Sequence, residues 1–310
     1  MDLLQLRYFQ TVARLEHMTQ AAHSLYISQS SLSKTIIHLE HELGVSLFDR
    51  QGRKIQLNQY GKAFLRRVEQ VFAALDDGQR ELADLTEGKQ GQVALASMSI
   101  YLLPGLLQAF RERHPGVNIR LFGSPRQKML AQLERGEIDL CFSAPPLERP
   151  GIEHASLMME EILLAVPPGH CLAERKTVRL SEVAQEPFLA LKQGYSLRKL
   201  TDTCCQQAGF TPHVVFEGND PMALLHLAKA GLGIACIPAL VWKSVPEIAV
   251  ARVHIEEPRC QRELALLWSK ERYLSVAARE LRDFIIAYFA RFDQTTPLSQ
   301  GSLFRSSLPS

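Results

Sequence analysis

From Ser28 to Lys34 the chain reads SQSSLSK: four serines, a glutamine and a lysine around one leucine. Hydroxyls, a carboxamide and an ammonium are hydrogen-bonding groups of little bulk, suited to reading a polar surface at close range. Serine is a mediocre helix former, because its hydroxyl competes for nearby backbone groups. The run alone therefore reads as a loop, yet its flanks and its apolar residues read as a helix. On a helical wheel Leu32, Ile36, Leu39 and Leu43 fall in one narrow arc, a stripe that faces a core. Ser30, Ser33, Lys34, Ile37 and His41 fall on the other side.

Two elements must position that polar face. Ser28 is a natural N-cap for the helix that carries it. Upstream, Thr19 is placed to cap a shorter helix that packs through Ala21, Ala22 and Leu25, with a tight turn near Tyr26 to Ser28. Two helices, a short turn and a polar second helix predict a helix-turn-helix. The serines then have a purpose, because short side chains let the helix backbone approach base edges in a major groove. Gln29 can offer a two-pronged amide to adenine, and Lys34 can reach a guanine or a phosphate. The next stretch, LFDRQGRKIQL, reads as a β-hairpin wing with Arg50, Arg53 and Lys54 near its tip, where they can grip phosphates. The first 67 residues hold nine Lys and Arg against five Asp and Glu, a local excess of positive charge. The DNA-binding set is thus Thr19, Ser28, Gln29, Ser30, Ser33 and Lys34, with Arg50, Arg53 and Lys54 on the wing.

These residues carry a family resemblance. The stretch RYFQTVARLEHMTQAAHSLYISQSSLSKTIIHLEHELGVSLFDRQGRKIQLNQYGKAFL resembles the N-terminal domain of LysR-type transcriptional regulators. Tyr8-Phe9, Ala21-Ala22, Ser28-Gln29, Leu32-Ser33, Leu39-Glu40, Leu43-Gly44, Leu47-Phe48 and Arg50 stand where that family places them. The resemblance runs to about residue 292. It implies a winged helix-turn-helix, a linker helix and an effector-binding domain, with base contacts at Gln29, Ser30, Ser33 and Lys34. The chain departs from the family pattern at Lys34, where arginine is commoner, at Ser30, often proline, and at Ile37, often basic. Lysine cannot make the planar two-pronged contact of arginine, so an operator preference of its own is expected.

The 310 residues suffice for more than one domain, and 46% apolar with 22% charged residues is a globular composition. Net charge is only +2, so nucleic-acid affinity must come from a local surface. Residues 1–57 are read as the winged helix-turn-helix. Residues 58–88 are read as a linker helix capped by Asn58, with Phe64, Val68, Val71, Leu75, Leu82 and Leu85 in a heptad seam and Gly78 at the missing position. One helix cannot bury such a stripe, so pairing with a second copy is expected, as a dimer or a tetramer. A paired protein would present two recognition helices to a pseudo-palindromic operator. Residues 91–294 alternate apolar runs with amphipathic stretches, the pattern of an α/β fold. Strands are predicted at Val93 to Leu95, Val117 to Phe122, 138–144, 162–168 and 264–268, with helices from Leu102 to Arg113 and from Val276 to Phe292. The arrangement resembles the two lobes of periplasmic solute-binding proteins, lobe I at about 91–164 and 265–294 and lobe II at about 165–264. Residues 295–310, rich in Ser and Pro, read as a disordered tail.

Ligands of open α/β sheets bind beyond the C-terminal ends of strands, where helix N-termini point. That rule selects Ser97, Ser99 and Ile100 after the first strand, Ser124 after the second, and Lys192, Tyr195 and Ser196 across the cleft. The family resemblance implies effector contacts at Ser99 and Ser124 and near Ser196. Helix dipoles and Lys192 make a carboxylate the candidate effector class. Gly231 and Gly233 read as structural, serving a turn and a close approach.

Other functions find little support. No GxSxG elbow, HExxH helix or Walker loop is present, so an enzyme is not expected, and neither is a cofactor or a metal. No apolar run nears the ~20 residues that span a bilayer, and no signal peptide is apparent, so a cytoplasmic protein without membrane contact is expected. The partners expected are double-stranded operator DNA, a small-molecule effector, a second copy of the chain, and RNA polymerase in the case of an activator. The alternative is a cysteine-based redox-sensing regulator. It is disfavoured because Cys204 and Cys205, adjacent on a helix, point about 100° apart and do not readily close a bridge.

Overall fold

The computed structural model describes residues 1–51, 54–87, 91–97, 103–123 and 126–295. The chain divides into two compact units, Met1–Thr86 and the residues from Glu87 onward.

The first unit opens with α1 (Leu3–Leu15), α2 (Met18–Ser24) and α3 (Gln29–Leu43). Strands β1 (Phe48–Gln51) and β2 (Lys54–Leu57) pair antiparallel as the predicted wing, with Arg50 opposite Ile55. Helix α4 (Gln59–Glu87) follows. The stripe read from sequence is the core: Leu32, Ile36 and Leu39 are fully buried against Phe9, Val12, Ala21 and Leu47. Burying side chains of this size contributes roughly 1.5–3 kcal/mol each. Ser28 caps α3 as expected, its hydroxyl accepting from the Ser31 N–H at 3.1 Å. Glu40 on α3 accepts from the N–H groups of Leu47 and Phe48 at 2.7 and 3.3 Å, which fixes the wing to the recognition helix. Asn58 accepts from the Gly61 N–H at 2.9 Å and donates to the Ser46 carbonyl at 2.8 Å, so it caps α4 and ties it to the wing. A Cβ at Gly61 would sit 2.1 Å from the Leu47 carbonyl oxygen, so only glycine allows this contact.

His17, not Thr19, caps α2, accepting from the Gln20 N–H at 3.3 Å. The helix begins earlier than its composition implies, and Thr19 lies in its first turn.

The second unit is a twisted α/β assembly. Its first lobe holds β3 (Gly91–Ala96), α5 (Leu103–Arg113), β4 (Val117–Phe122), α6 (Arg126–Arg135), β5 (Leu140–Ser143), β12 (Gln261–Ser269) and α10 (Val276–Thr295). The long strand β6 (Ile152–Val166) carries the chain into the second lobe. There lie β7 (Thr177–Arg179), a 3₁₀ turn (Leu180–Val183), β8 (Pro187–Leu191), α7 (Ser196–Gln207), β9 (His213–Gly218), α8 (Pro221–Lys229), β10 (Ile234–Pro238), α9 (Ala239–Ser244) and β11 (Ala251–Glu257). The strands run β4-β3-β5-β12-β6-β10-β8-β9, with β11 beside β6 and β7 beside β11. Alternation explains the layering. Val93, Leu95, Leu140, Phe142, Leu264 and Leu266 face α5 and α10 on one side. Ala94, Ala96, Cys141, Ala265 and Leu267 face α6 on the other. Gly233 sits where a Cβ would lie 2.4 Å from the Pro187 carbonyl oxygen, the close approach expected of it.

The lobes meet a few residues away from where the apolar runs placed the crossovers. β12 pairs with β6 from Ile152 to Glu161, and β10 and β11 take over from Ile162. Lobe II therefore spans about 162–260. The apolar runs mark the buried parts of β6 and β12, whereas the exchange occurs at the polar residues Glu160-Glu161 and Gln261-Arg262 just before them. The proposed tail lies outside the described residues beyond Thr295, where α10 ends.

Candidate functional site

The first site is the outer face of α3. Gln29, Ser30 and Lys34 are exposed and Ser33 is half-buried, opposite the Leu32–Ile36–Leu39 stripe. Ser28 and Ser30 hydroxyls lie 3.1 Å apart, and the Thr19 hydroxyl donates to Gln29 Oε1 at 3.1 Å. Thr19 thus belongs to the face as the group that orients Gln29, not as a helix cap. The Gln29 Nε2 remains a donor and Oε1 keeps a second lone pair, the complement of an adenine edge. Ile37 is 48% exposed on the same face, a position for apolar contact with a thymine methyl. On the wing, the backbone places Arg50 in β1 and Lys54 in β2, and Arg53 lies outside the described residues.

The predicted seam of α4 divides into two parts. Val68 is buried in the helix-turn-helix core, and Phe64 packs there with its ring 5.2 Å from Phe9. These two are core residues of their own chain, which corrects their assignment to a seam between copies. The reason is that the first turns of α4 double as the fourth wall of the small bundle. Beyond them Val71 (42%), Leu75 (45%), Leu82 (64%) and Leu85 (78%) form an exposed apolar face.

The second site lies between the lobes of the second unit. It is lined by Ser97, Phe142, Ser143, Leu191, Tyr195 and Ser196, with Asn219, Arg262 and Leu264 also on its walls. The cavity volume is about 50 Å³. Ser97, Tyr195 and Ser196 therefore converge as the strand-end rule predicts. Lys192 does not join them. It is exposed and is not among the residues that line the cavity, and the chain turns between Lys192 and Tyr195 before α7 begins. Ser99, Ile100 and Ser124 lie outside the described residues.

Among the described lining residues the charged one is Arg262, which the sequence reading missed and which pairs with Glu160. Arg262 and Glu160 are register partners on the two hinge strands. Nε of Arg262 donates to Glu160 Oε2 at 2.7 Å, and Nη2 lies 2.7 Å from the same oxygen as an ion pair. The other carboxylate oxygen accepts from the Leu240 N–H at 3.1 Å, at the start of α9. Glu160 is 1% exposed, so this is a buried, hydrogen-bonded pair. The sequence signal was parity: Arg262 and Leu264 share a strand face, and both line the cleft. Opposite, Tyr195 precedes α7 without a side-chain cap hydrogen bond, and a helix N-terminus favours negative charge. Arg198 holds the helix in place, donating to Asp202, Glu217 and the Leu191 carbonyl at 2.7–2.8 Å.

Comparison with known proteins places both sites in one family. Residues 3–62 match the bacterial regulatory helix-turn-helix protein, lysR family, and residues 86–290 match the LysR substrate binding domain. The chain is 38% identical over 293 residues to the uncharacterized HTH-type transcriptional regulator YybE of Bacillus subtilis (strain 168), covering 94% of this chain and 100% of that protein. It is 33% identical over 298 residues to the transcriptional dual regulator GltC of the same organism, covering 95% and 99%. Full-length CbnR complexed with its target DNA is similar in structure, with a TM-score of 0.66 and 25% identity over 94% of this chain and 99% of that one. The chain belongs to the LysR family of transcriptional regulators. That family consists of DNA-binding regulators with an effector-binding domain, not of enzymes. Among the described residues, no helix is long and apolar enough to cross a membrane.

Proposed function

We propose that this protein is a cytoplasmic regulator that binds pseudo-palindromic operator DNA as a homo-oligomer and changes its activity when a small molecule enters the interlobe cleft. The observation that carries the reading is the α3 face, with Gln29, Ser30, Ser33 and Lys34 outward over a fully buried Leu32–Ile36–Leu39 stripe. Arg50, Arg53 and Lys54 of the wing supply phosphate contacts. The exposed stripe Val71, Leu75, Leu82 and Leu85 pairs with a second copy and so sets the separation of two recognition helices. The CbnR complex with its target DNA supports this assignment by analogy.

In the cleft, Ser97, Tyr195, Ser196 and Arg262 favour a small effector with an anionic group, a carboxylate by preference. Ser99, Ile100 and Ser124 complete the proposed contacts. Switching requires the effector to bind one lobe or subunit arrangement more tightly than another. RNA polymerase is a partner where the regulator activates.

Genome-wide mapping of bound sites, followed by titration of the recovered duplexes, tests the reading. The expected result is a recurrent inverted repeat bound in a salt-sensitive way, with affinity shifted by metabolites of the neighbouring operons.

A further inference from the structure

Cys204, in α7, and Cys260, immediately before β12, stand 56 residues apart in sequence, yet their sulfurs are 3.0 Å apart. That is about 1 Å longer than a disulfide bond of ~2.05 Å. Cys205 and Cys236 lie in the same lobe II core and line a small cavity together, whereas the close sulfur–sulfur contact is between Cys204 and Cys260. We propose that Cys204 and Cys260 form a reversible thiol–disulfide pair that closes on exposure to a hydroperoxide and clamps α7 to the hinge between the lobes.

Three further observations support the pair. Both thiols are free and buried, which shields the reduced state from larger reagents. Cys260 also lines a surface cavity of about 500 Å³ together with Glu161, His254 and Arg259, which gives a small oxidant a way in. The hydrogen bond between the sulfurs lowers the Cys204 thiol against its burial, and the same bond, with burial, raises Cys260. One sulfur of the pair is thus the easier to ionise.

The chemistry balances with the oxidant named. One thiolate attacks a peroxide oxygen, the O–O bond breaks, and an alcohol leaves (water, from hydrogen peroxide), giving a sulfenic acid. The second sulfur then attacks the first, the S–O bond breaks, and hydroxide leaves as water with the remaining thiol proton. Two thiols are oxidised and one peroxide is reduced. A dithiol reductant reverses the step.

The position gives the bridge a consequence. The Cys260 carbonyl accepts from the Ile162 N–H at 2.8 Å, at the point where β6 passes between lobes. Arg262, two residues on, lines the cleft, as does Ser196 at the start of α7. The bridge therefore ties α7 to the edge of lobe II where the chain enters the hinge strand β12. This consequence rests on the cleft reading above, whereas the bridge itself does not.

The test is made on the full-length reduced protein, treated with hydrogen peroxide, alkylated in denaturant and digested without reductant. Mass spectrometry is expected to find one linked peptide pair joining Cys204 to Cys260. Free thiols should fall from the six of the sequence by two, and dithiothreitol should restore them. Cys260→Ser and Cys204→Ser should each abolish the bridge, and Cys171→Ser should leave it unchanged. The wild-type peptide map stands even if a serine variant misfolds. Persistence of all six thiols, a bridge between other cysteines, or an intermolecular link through Cys171 alone would overturn the proposal.

Discussion

The Thr19 hydroxyl donates to Gln29 Oε1 at 3.1 Å, so a side chain from α2 orients the first side chain of α3. Gln29→Ala is predicted to weaken binding to the preferred operator by ~1–3 kcal/mol and to leave random duplex binding nearly intact. Thr19→Val should lose about 1 kcal/mol in the same direction, because Gln29 must then be ordered on binding. Fluorescence anisotropy with both duplexes measures the two effects. Equal losses on operator and random DNA would remove both residues from sequence reading.

Lys34 is exposed on the same face and has a single point charge. As a phosphate contact, its replacement by alanine lowers the slope of log affinity against log salt by about 0.9 and weakens all duplexes alike. Titrations at several salt concentrations read the slope. A loss confined to one base position would identify a guanine contact instead.

The two halves of the α4 stripe should respond differently. Val68→Ala is predicted to destabilise the first unit by roughly 2 kcal/mol, because Val68 is buried in its own chain. Leu82→Asp and Leu85→Asp should leave the fold intact and weaken self-association, because those side chains are exposed. Thermal unfolding and sedimentation velocity separate the effects.

Arg262→Ala strips the buried Glu160 carboxylate of its guanidinium and leaves it the Leu240 N–H and the charge of Lys243 nearby. The expected cost is ~3–5 kcal/mol in urea unfolding of the second unit. Arg262→Lys retains the charge and should cost less. A cost below about 1 kcal/mol for the alanine variant would show that the pair does little for stability.

Thiol reactivity offers a separate check on lobe packing. Burial pushes the Cys141 and Cys205 thiols up to about 12, and it raises Cys236 well above the ordinary range. Since pH 7 lies far below these values, almost no thiolate is present at them. Iodoacetamide should label exposed Cys171 in the native protein and reach the other three only on unfolding.

Much of this architecture is legible in the residues. The 4-3-4 spacing of Leu32, Ile36, Leu39 and Leu43 predicts α3 and its buried side, and the first three are fully buried. The first unit is compact and local, so helical periodicity decides its faces. The same rule overreaches on α4, where Phe64 and Val68 obey the heptad rhythm but bury against Phe9 and its neighbours. Periodicity tells which side is apolar, not what covers it. In the second unit, apolar runs locate the buried ends of strands but miss Ile152 to Glu161, whose side chains are a mixture of exposed, half-buried and buried. The cleft is the least legible part. Arg262 meets Glu160 across paired strands about 100 residues apart in sequence, and Cys204 meets Cys260 through the fold of lobe II, which local spacing does not encode.

Selection of bound duplexes from a randomised pool by the purified protein, repeated with Ser33→Ala and Gln29→Ala, tests the central claim that the outer face of α3 reads DNA. An enriched inverted repeat is expected for the natural protein, with altered or lost base preference at discrete positions for each variant. Enrichment of no sequence, or an identical motif bound with identical affinity by all three proteins, would contradict it.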